Sequence, residues 1–507
     1  MHFAGLWPVD LLMFMKNELA APALLLAMTL LGSCDFLEDA FGRKDSAARP
    51  SPEISKADSF ARDVLNTYYL WTSEIAGDLP RLDPDTCLDP VGVVREIRYH
   101  AAGREVDHWT VLTDDFDSFT SSMQGLGLTY GYELQSGRIS NREGQYFLVV
   151  TCVYPGGPAQ KAGLKRGDII VTIDGKPVTR DNLYDALDSR SVILGVTFLD
   201  GDGTISSSVE PVAMSAEDMY LDPVMVSRTF DLDGKKVGYL FYNSFDIRSQ
   251  LKLPDVFRRF KEEGVTELVL DLRYNGGGYA RTETMLASLI APSSSVAAKE
   301  VFQTDVYNSS LMEMWAEQGA DLSTRFSNTF EYEEGGRTET IDITDAHPSI
   351  TRLYALVTGS SASASEALLV GLAPYLDITI IGEQTYGKYC AGFVLGPGDV
   401  YKKTYDYSLI DDWGIYVMVS KFADRDGRNA AEPDGIPADV ACHDDPFDGF
   451  QLGDEGETML RAALSSAGKT YPGTLSTALP PRLGIEPLHR TGLPAGLLVK
   501  DLLPQVK

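Results

Sequence analysis

Two segments in the second half of the chain constrain its fold most. Residues 361–366 read Ser-Ala-Ser-Ala-Ser-Glu, and residues 385–388 read Thr-Tyr-Gly-Lys. Between them, an apolar helical stretch leads into the run 377–382, which is typical of a buried strand. A serine at a helix start and a lysine just after the next strand meet at one edge of an α/β sheet. The pattern therefore predicts that Ser363 and Lys388 lie together.

A serine and a lysine in contact form a catalytic dyad. Serine is a weak nucleophile until a neighbouring base takes its proton. A lysine serves as that base when burial lowers its pKa toward neutrality. Each segment alone also fits a structural role, because small-residue runs are common in helix caps and tight packing. The pairing of Ser363 with Lys388 favours catalysis.

A third segment supplies what a hydrolase of this kind needs. Residues 267–272 predict a buried strand, and residues 273–278, Arg-Tyr-Asn-Gly-Gly-Gly, follow it directly. Three glycines after a strand let backbone N–H groups approach a ligand closely. Such donors stabilise the oxyanion of a tetrahedral intermediate.

Together the three segments resemble the C-terminal processing proteases, also called tail-specific proteases. The family patterns Asp-Leu-Arg-x-Asn-x-Gly-Gly, Ser-Ala-Ser-Ala-Ser-Glu and Gly-Glu-x-Thr-aromatic-Gly-Lys begin at Asp271, Ser361 and Gly382. The resemblance spans roughly residues 60–465. It implies a serine endopeptidase whose α/β catalytic domain, of strands alternating with helices, has a crotonase-like core. It also implies that no metal or organic cofactor is needed.

The resemblance assigns roles to individual residues. Ser363 corresponds to the nucleophile and Lys388 to the general base. Backbone N–H groups near Gly276 and Gly277, with that of Ala364, correspond to the oxyanion hole.

One position departs from the family pattern. Many members carry glutamine four residues after the lysine, and this chain has Gly392 there. Either another side chain orients Lys388, or the dyad works without one. Gly392 also favours an alternative, a non-catalytic peptide-binding lipoprotein that retains the protease fold, although the intact Ser363 and Lys388 weigh against it. An esterase is excluded because no Gly-x-Ser-x-Gly motif surrounds Ser363.

Residues 113–222 resemble a PDZ domain. The four residues Gly125, Leu126, Gly127 and Leu128 resemble the loop that binds a peptide carboxylate through backbone N–H groups. PDZ domains capture a peptide by adding it as a strand to a sheet edge. The alternative is a domain that only braces the catalytic domain.

The N-terminus is typical of export. Residues 20–31 form an apolar run too short to span a bilayer, and Leu31-Gly32-Ser33-Cys34 resembles a bacterial lipobox. Lipid on Cys34 would anchor the protein to a membrane of the bacterial cell envelope, on its periplasmic or cell-surface side. The alternative is an ordinary secretory signal with a coincidental cysteine.

Charge and cysteine spacing exclude several other functions. The net charge of −29 argues against nucleic acid or an anionic membrane surface as a partner. Protein or peptide substrates are implied by the resemblance to the C-terminal processing proteases. No zinc-binding motif is present. The wide spacing of the remaining cysteines, Cys87, Cys152, Cys390 and Cys442, predicts that they are buried free thiols.

These patterns divide the chain into six segments. They are a lipoprotein signal at 1–34, a tether at 35–54, a small helical N-terminal domain at 55–112, the PDZ domain at 113–222, the catalytic domain at 223–465 and a tail at 466–507. Within the catalytic domain, residues 290–345 predict less regular structure that forms a lid. The Pro/Gly-rich tail is expected to wrap the surface or to be mobile.

Overall fold

The structure is a computed structural model of the chain. The described residues are 49–139, 144–201, 203–402, 404–471, 485–487 and 497–500. The predicted signal segment and Cys34 lie outside the described residues.

Helices of the described residues are mostly short, and α11 confirms the predicted helical stretch after Ser363. Their ranges are α1 (Pro52–Tyr68), α2 (Thr72–Ile75), α3 (Pro90–Ile97), α4 (Phe116–Met123), α5 (Pro158–Lys161), α6 (Asp185–Asp188), α7 (Leu253–Glu262), α8 (Ala280–Ile290), α9 (Ser293–Ala297), α10 (Ser309–Gln318), α11 (Ala364–Leu372), α12 (Pro397–Val400) and α13 (Thr458–Ser466). Two 3-10 turns lie at Leu79–Arg81 and Arg248–Leu251.

Strands of the described residues begin after the first helices. Their ranges are β1 (His100–Ala101), β2 (Arg104–Glu105), β3 (Val111–Thr113), β4 (Leu126–Thr129), β5 (Tyr132–Arg138), β6 (Tyr146–Val153), β7 (Ile169–Ile173), β8 (Lys176–Pro177), β9 (Ser191–Thr197), β10 (Glu210–Ser215), β11 (Glu217–Tyr220), β12 (Val224–Leu232), β13 (Lys235–Tyr242), β14 (Val265–Asp271), β15 (Gly277–Tyr279), β16 (Val301–Tyr307), β17 (Ser323–Arg325), β18 (Thr329–Glu334), β19 (Arg337–Asp342), β20 (Arg352–Val357), β21 (Asp377–Gly382), β22 (Cys390–Leu395), β23 (Gly414–Asp424), β24 (Val440–Ala441), β25 (Ile485–Pro487) and β26 (Leu497–Val499).

The described part of the chain divides into two compact units, and the first contains residues 49–116 and 394–417. Helix α1 begins at Pro52, and the Oγ of Ser51 caps it by accepting a hydrogen bond from the N–H of Ile54 at 3.2 Å. Its buried face includes Phe60 and Val64, which are four residues apart and therefore lie on one side of the helix.

The second unit contains the described residues of 117–393 and 418–500. The described residues form three larger sheets. The first of these sheets has the order β10-β9-β7-β6-β5-β25 and is antiparallel throughout. Its buried side chains form a separate apolar core, which includes Leu148, Val150, Ile170, Ile173 and Leu194. Strands β6 and β7 lie within the segment that resembles a PDZ domain.

The second sheet has the order β12-β13-β14-β20-β21-β24 and is parallel from β13 onward. The inner strands β14 and β20 are buried along most of their length, which explains their nearly continuous apolar sequences. The predicted strands at 267–272 and 377–382 are confirmed as β14 and β21. In this parallel arrangement the carboxyl ends of β14, β20 and β21 lie side by side at one edge.

The third sheet places β26 between β15 and β22. Leu498 in β26 is fully buried. The sequence expectation of a tail that only wraps the surface or moves freely is therefore wrong for residues 497–500. Alternation of apolar and polar residues gives a weak signal over three residues, so this strand was not predictable from sequence.

The predicted irregular segment 290–345 is also corrected. It contains α9, α10, β16 and β17, followed by the antiparallel hairpin of β18 and β19. Some of its Thr and Glu residues lie at exposed positions of short strands, as in β19, where most positions are exposed. Polar composition here reflects solvent exposure and not irregular backbone.

Candidate active site

The three predicted segments meet at one edge of the parallel sheet. The Oγ of Ser361 donates to the carbonyl of Leu272 at 2.8 Å, and the N–H of Ala362 donates to the carbonyl of Asn275 at 3.1 Å. The Oγ of Ser365 also donates to the carbonyl of Asn275, at 2.9 Å. These bonds fix the serine loop, which follows β20, against the glycine segment, which follows β14.

Ser363 has an unusual backbone conformation. It lies just before α11 with φ 62° and ψ −108°. Such a conformation costs a non-glycine residue roughly 1–3 kcal/mol and persists only where the surroundings enforce it. The side chain is fully buried, and its Oγ has no hydrogen-bond partner among the described residues. Strain together with an unpaired hydroxyl is typical of a nucleophile held ready for a substrate.

Glu366 connects the serine loop to the loop after β21 that carries Lys388, which we call the lysine loop. Its Oε2 accepts hydrogen bonds from the backbone N–H of Ser363 at 2.8 Å and from that of Lys388 at 2.9 Å. Its Oε1 accepts from the Oγ1 of Thr385 at 2.5 Å and from the N–H of Gly387 at 2.7 Å. One carboxylate therefore positions the backbone of both predicted dyad residues.

The environment of Glu366 combines burial with many donors. Burial raises the pKa of its carboxyl group, while the hydrogen bonds from Thr385 and from the backbone of Ser363, Gly387 and Lys388 oppose that rise. The sequence reasoning gave Glu366 no role. Ser363 and Glu366 are nevertheless spaced as in a capping box, and that pattern was the available signal.

Lys388 and Gly392 occupy different environments. The Lys388 side chain is fully buried on the loop after β21. Gly392 lies within β22, where its carbonyl accepts a hydrogen bond from the N–H of Lys500 at 3.0 Å. Residue 392 is thus part of a sheet. Because it is glycine, it has no side chain that could orient Lys388.

The glycine segment requires glycine for a steric reason. Gly277 and Gly278 have φ values of 109° and 146°. A Cβ at Gly278 would lie 2.5 Å from the carbonyl oxygen of Phe245. The N–H of Gly277, one predicted oxyanion donor, bonds to the Oδ1 of Asn275 at 2.9 Å. Ala364 is the first residue of α11, where N–H groups have no intrahelical acceptor.

A buried charge cluster joins the PDZ-like segment to the same edge. Arg166 donates to the Oδ1 of Asp444 at 2.5 Å, and Arg273 donates to that oxygen at 2.8 Å. Arg273 also donates to Glu457 at 2.5 Å. Burial acts to raise the pKa of Asp444, but Arg166 and Arg273 outweigh it and hold that pKa at about 2.

Three of the four predicted carboxylate-binding residues, Leu126 to Leu128, belong to a strand and not to a loop. Residues 126–129 are β4, which pairs antiparallel with β11. The N–H of Gly125 donates to the carbonyl of Ser122 at 3.1 Å. Leu126 and Gly127 line a cavity of about 410 Å³ beside Met219.

Other predicted features have simple outcomes. Cys87, Cys152, Cys390 and Cys442 are buried and free, as predicted. Within the described ranges, no group of three His, Cys, Asp or Glu side chains is placed to hold a metal ion. Among those same residues, no helix is both long and apolar enough to cross a membrane.

Comparison with protein families agrees with this geometry. Residues 236–442 match the family model of peptidase family S41, and residues 149–196 match a PDZ domain model. The chain therefore contains a serine-type peptidase domain of family S41 and a PDZ domain. The predicted relation to the C-terminal processing proteases is confirmed.

Individual relatives support the same classification. The chain is 27% identical over 282 residues to a chloroplastic C-terminal processing peptidase of Tetradesmus obliquus, covering 53% of this chain and 52% of the relative. It is 25% identical over 318 residues to a carboxyl-terminal-processing protease of a Picosynechococcus strain, covering 62% of this chain and 66% of the relative. The matched region thus spans between half and two thirds of these relatives.

A solved structure shows the same fold. The crystal structure of a candidate S41 protease from Bacteroides fragilis superposes with a TM-score of 0.63 at 21% identity, covering 80% of this chain and 96% of that one.

Glu366→Gln is expected to lower kcat about a hundredfold, because small misplacements of reacting groups have effects of this size. Each carboxylate oxygen now accepts two hydrogen bonds. In the glutamine variant an NH₂ group replaces one of these oxygens, and its N–H groups would face two donors in place of accepting from them. Cleavage of a fluorogenic peptide measures the effect. Glu383→Gln is the matched control, since the side chain of Glu383 is 40% exposed and contacts His443. Unchanged kcat in Glu366→Gln would contradict the positioning role.

Proposed function

We propose that this protein is an exported serine endopeptidase that cleaves polypeptides through the dyad of Ser363 and Lys388. The observation that carries the proposal is the shared acceptor, because the Oε2 of Glu366 holds the backbone N–H groups of Ser363 and Lys388 at 2.8 and 2.9 Å. The resemblance also implies a crotonase-like core, and we include that fold assignment in the proposal.

In the proposed reaction, the Oγ of Ser363 attacks the carbonyl carbon of the scissile peptide bond. The Nζ of Lys388 takes the hydroxyl proton and then delivers it to the nitrogen of the leaving amine as the C–N bond breaks. Water next attacks the resulting ester, again with Lys388 as base, and releases Ser363 and the new carboxyl terminus. The chain's residues supply each proton transfer.

The oxyanion of the tetrahedral intermediate needs donors near Ser363. We assign this role to backbone N–H groups at Gly276 and Gly277, together with that of Ala364. The N-terminus of α11 supports this assignment, since its N–H groups carry partial positive charge. When the oxyanion forms, the hydrogen bond from the N–H of Gly277 to the Oδ1 of Asn275 has to lengthen, or the N–H has to be shared between the two acceptors.

We further propose that the PDZ domain captures the substrate polypeptide. The domain contains an antiparallel sheet, and strand addition to such a sheet is the known mode of peptide binding. Contact through Arg166 and Asp444 supports an additional bracing role. Lipid on Cys34 would hold the enzyme at a bacterial membrane, where its substrates are other polypeptides of the envelope.

Active-site labelling tests the central proposal. A fluorophosphonate probe is expected to label wild-type protein at Ser363 and to leave Ser363→Ala unlabelled. Mass spectrometry of a proteome digest then identifies peptide bonds that only the wild type cuts. Absence of labelling and of cleavage, with peptide binding retained, would establish the non-catalytic peptide-binding lipoprotein instead.

Leu126→Asp is expected to slow cleavage of a long polypeptide about tenfold and to leave a short peptide unaffected. The added charge repels a bound terminal carboxylate, and only a long substrate gains effective concentration from capture. Rates on casein and on a short fluorogenic peptide measure the two effects. Ile193→Asp is the control, because Ile193 is 51% exposed in the same domain. Equal slowing of both substrates would indicate bracing in place of capture.

A further inference from the structure

The strand β26 fills a position between two strands that flank the candidate active site. Gly277, Gly278 and Tyr279 of β15 pair in parallel with Leu497, Leu498 and Val499. On the other side, Val499 pairs in parallel with Gly392 of β22, and the N–H of Lys500 donates to the carbonyl of Gly392 at 3.0 Å. Strand β26 is therefore an inner strand of this sheet.

Both neighbours of this position lead directly to proposed catalytic groups. Strand β15 begins at Gly277, a proposed oxyanion donor, and β22 begins at Cys390, two residues after Lys388. The carbonyl of Gly277 and the N–H of Tyr279 bond to Phe245 on the opposite side. Because backbone groups alternate along a strand, those of Gly278 face β26. An extended peptide at this position lies beside the proposed oxyanion donors and dyad.

The strand is held by apolar burial and by one buried charge pair. Leu498 is fully buried, and Val499 is 7% exposed. The Nζ of Lys500 contacts the Oδ2 of Asp305, and the two side chains are only 9% and 5% exposed. A buried ammonium group is stable only when it is paired, so this pocket demands a cation at that point of the strand.

A second carboxyl group, that of Glu283, is buried near Lys500 and Asp305. Glu283 is fully buried, and its Oε2 has no hydrogen-bond partner among the residues that the structure describes. Its Oε1 accepts a hydrogen bond from the Nε2 of Gln303 at 2.6 Å. Burial raises the pKa of Glu283 to about 8, and the charge of Lys500 opposes that rise.

The same region of the chain also adds a strand to the PDZ sheet. Strand β25 pairs antiparallel with β5, the edge strand, through Ile485 with Gly137 and Pro487 with Gln135. A peptide bound to a sheet edge by strand addition uses the same backbone groups. Two described parts of one C-terminal region thus occupy strand positions next to both proposed peptide sites.

We propose that the position between β15 and β22 is the substrate cleft and that residues 497–500 occupy it in cis. In the polypeptide that replaces them, the buried carboxylate of Asp305 selects a basic side chain. This inference rests on the proposed peptidase function. The preferred ligand is an extended peptide with two or three apolar residues followed by Lys or Arg. The full burial of Ser363 fits a cleft that is already filled.

Peptide binding to a Ser363→Ala background tests the cleft without requiring catalysis. The probe is a fluorescein-labelled peptide with the sequence of residues 495–502, Ala-Gly-Leu-Leu-Val-Lys-Asp-Leu. Adding Leu498→Asp, which disfavours the cis strand, is expected to tighten binding of the probe at least tenfold, since a tethered competitor acts at about millimolar effective concentration.

Lys500→Glu places a negative charge beside Asp305 and is a second route to the same displacement if Leu498→Asp does not fold. Lys176→Glu, at an exposed position of β8, is the control and is expected to leave binding unchanged.

Charge reversal tests the acidic pocket. A probe with Glu in place of Lys is expected to bind at least tenfold more weakly, and Asp305→Lys is expected to reverse that preference. Equal affinity for both probes would overturn the proposal. So would a lower melting temperature without tighter probe binding in both Leu498→Asp and Lys500→Glu, since β26 would then be a purely structural strand. Probe binding without any cleavage by the wild-type enzyme would instead retain the cleft and refute the peptidase function.

Discussion

Ser363→Ala is expected to reduce proteolysis by a factor on the order of thousands or more, which is the usual cost of removing a serine nucleophile. The substitution deletes one hydroxyl group that has no hydrogen-bond partner among the described residues, so the fold has little to lose. Initial rates on a fluorogenic peptide, together with the thermal unfolding midpoint, measure both effects. The expected result is lost activity at an unchanged midpoint.

The two neighbouring serines provide matched controls. Ser361 donates to the carbonyl of Leu272 at 2.8 Å, and Ser365 donates to the carbonyl of Asn275 at 2.9 Å. Alanine at either position removes a buried hydrogen bond and is expected to lower stability by about 1 kcal/mol while retaining measurable activity. An active Ser363→Ala variant beside an inactive Ser361→Ala or Ser365→Ala would transfer the nucleophile to another serine.

Lys388→Arg is expected to be nearly as inactive as Lys388→Ala. Arginine keeps the positive charge but does not release its proton near neutral pH, so it cannot accept the serine proton. The rate constant for single-turnover cleavage and the rate of fluorophosphonate labelling are the measurements. Both are expected to fall by about a hundredfold to ten-thousandfold, which is the typical contribution of general acid–base catalysis.

A second lysine shows whether such a loss is specific. Lys421 forms an ion pair with Glu432 at 2.6 Å, and its side chain is 34% exposed. Lys421→Arg preserves that surface pair and is expected to leave the rate unchanged. Substantial activity in Lys388→Arg would refute the base assignment and direct attention to a histidine such as His443, whose Nδ1 contacts Glu383 at 2.5 Å.

Local patterns predicted the part of the site that depends on strand ends. Strands β14, β20 and β21 are long apolar runs, and each is followed by polar or glycine residues. Because parallel neighbours bring their carboxyl ends to one edge, the sequence order was enough to place the glycine segment, Ser363 and Lys388 near one another. The chemistry of each side chain then suggested its role.

Contacts between distant segments were not predictable in the same way. Glu366 binds residues of the lysine loop only because the turn after β21 folds back over α11. Residues 497–499 carry no pattern that distinguishes a buried strand from a loop, since their position depends on pairing with Gly392 and β15. Sequence spacing encodes neighbours along one element and says little about such long-range partners.

The charge cluster around Asp444 limits how the PDZ domain can be exchanged or removed. A graft that lacks arginine at position 166 would leave Asp444 with a missing partner inside the protein, and breaking one half of a buried ion pair typically costs about 3–5 kcal/mol. The pKa of Asp444 falls from 3.8 to about 2 on folding, so its contribution to stability is complete above pH 3.8 and disappears as the pH drops through 2. Chimeric proteins built from these two domains should therefore inherit the arginine with the donor PDZ domain, and acid should uncouple the domains of the native protein.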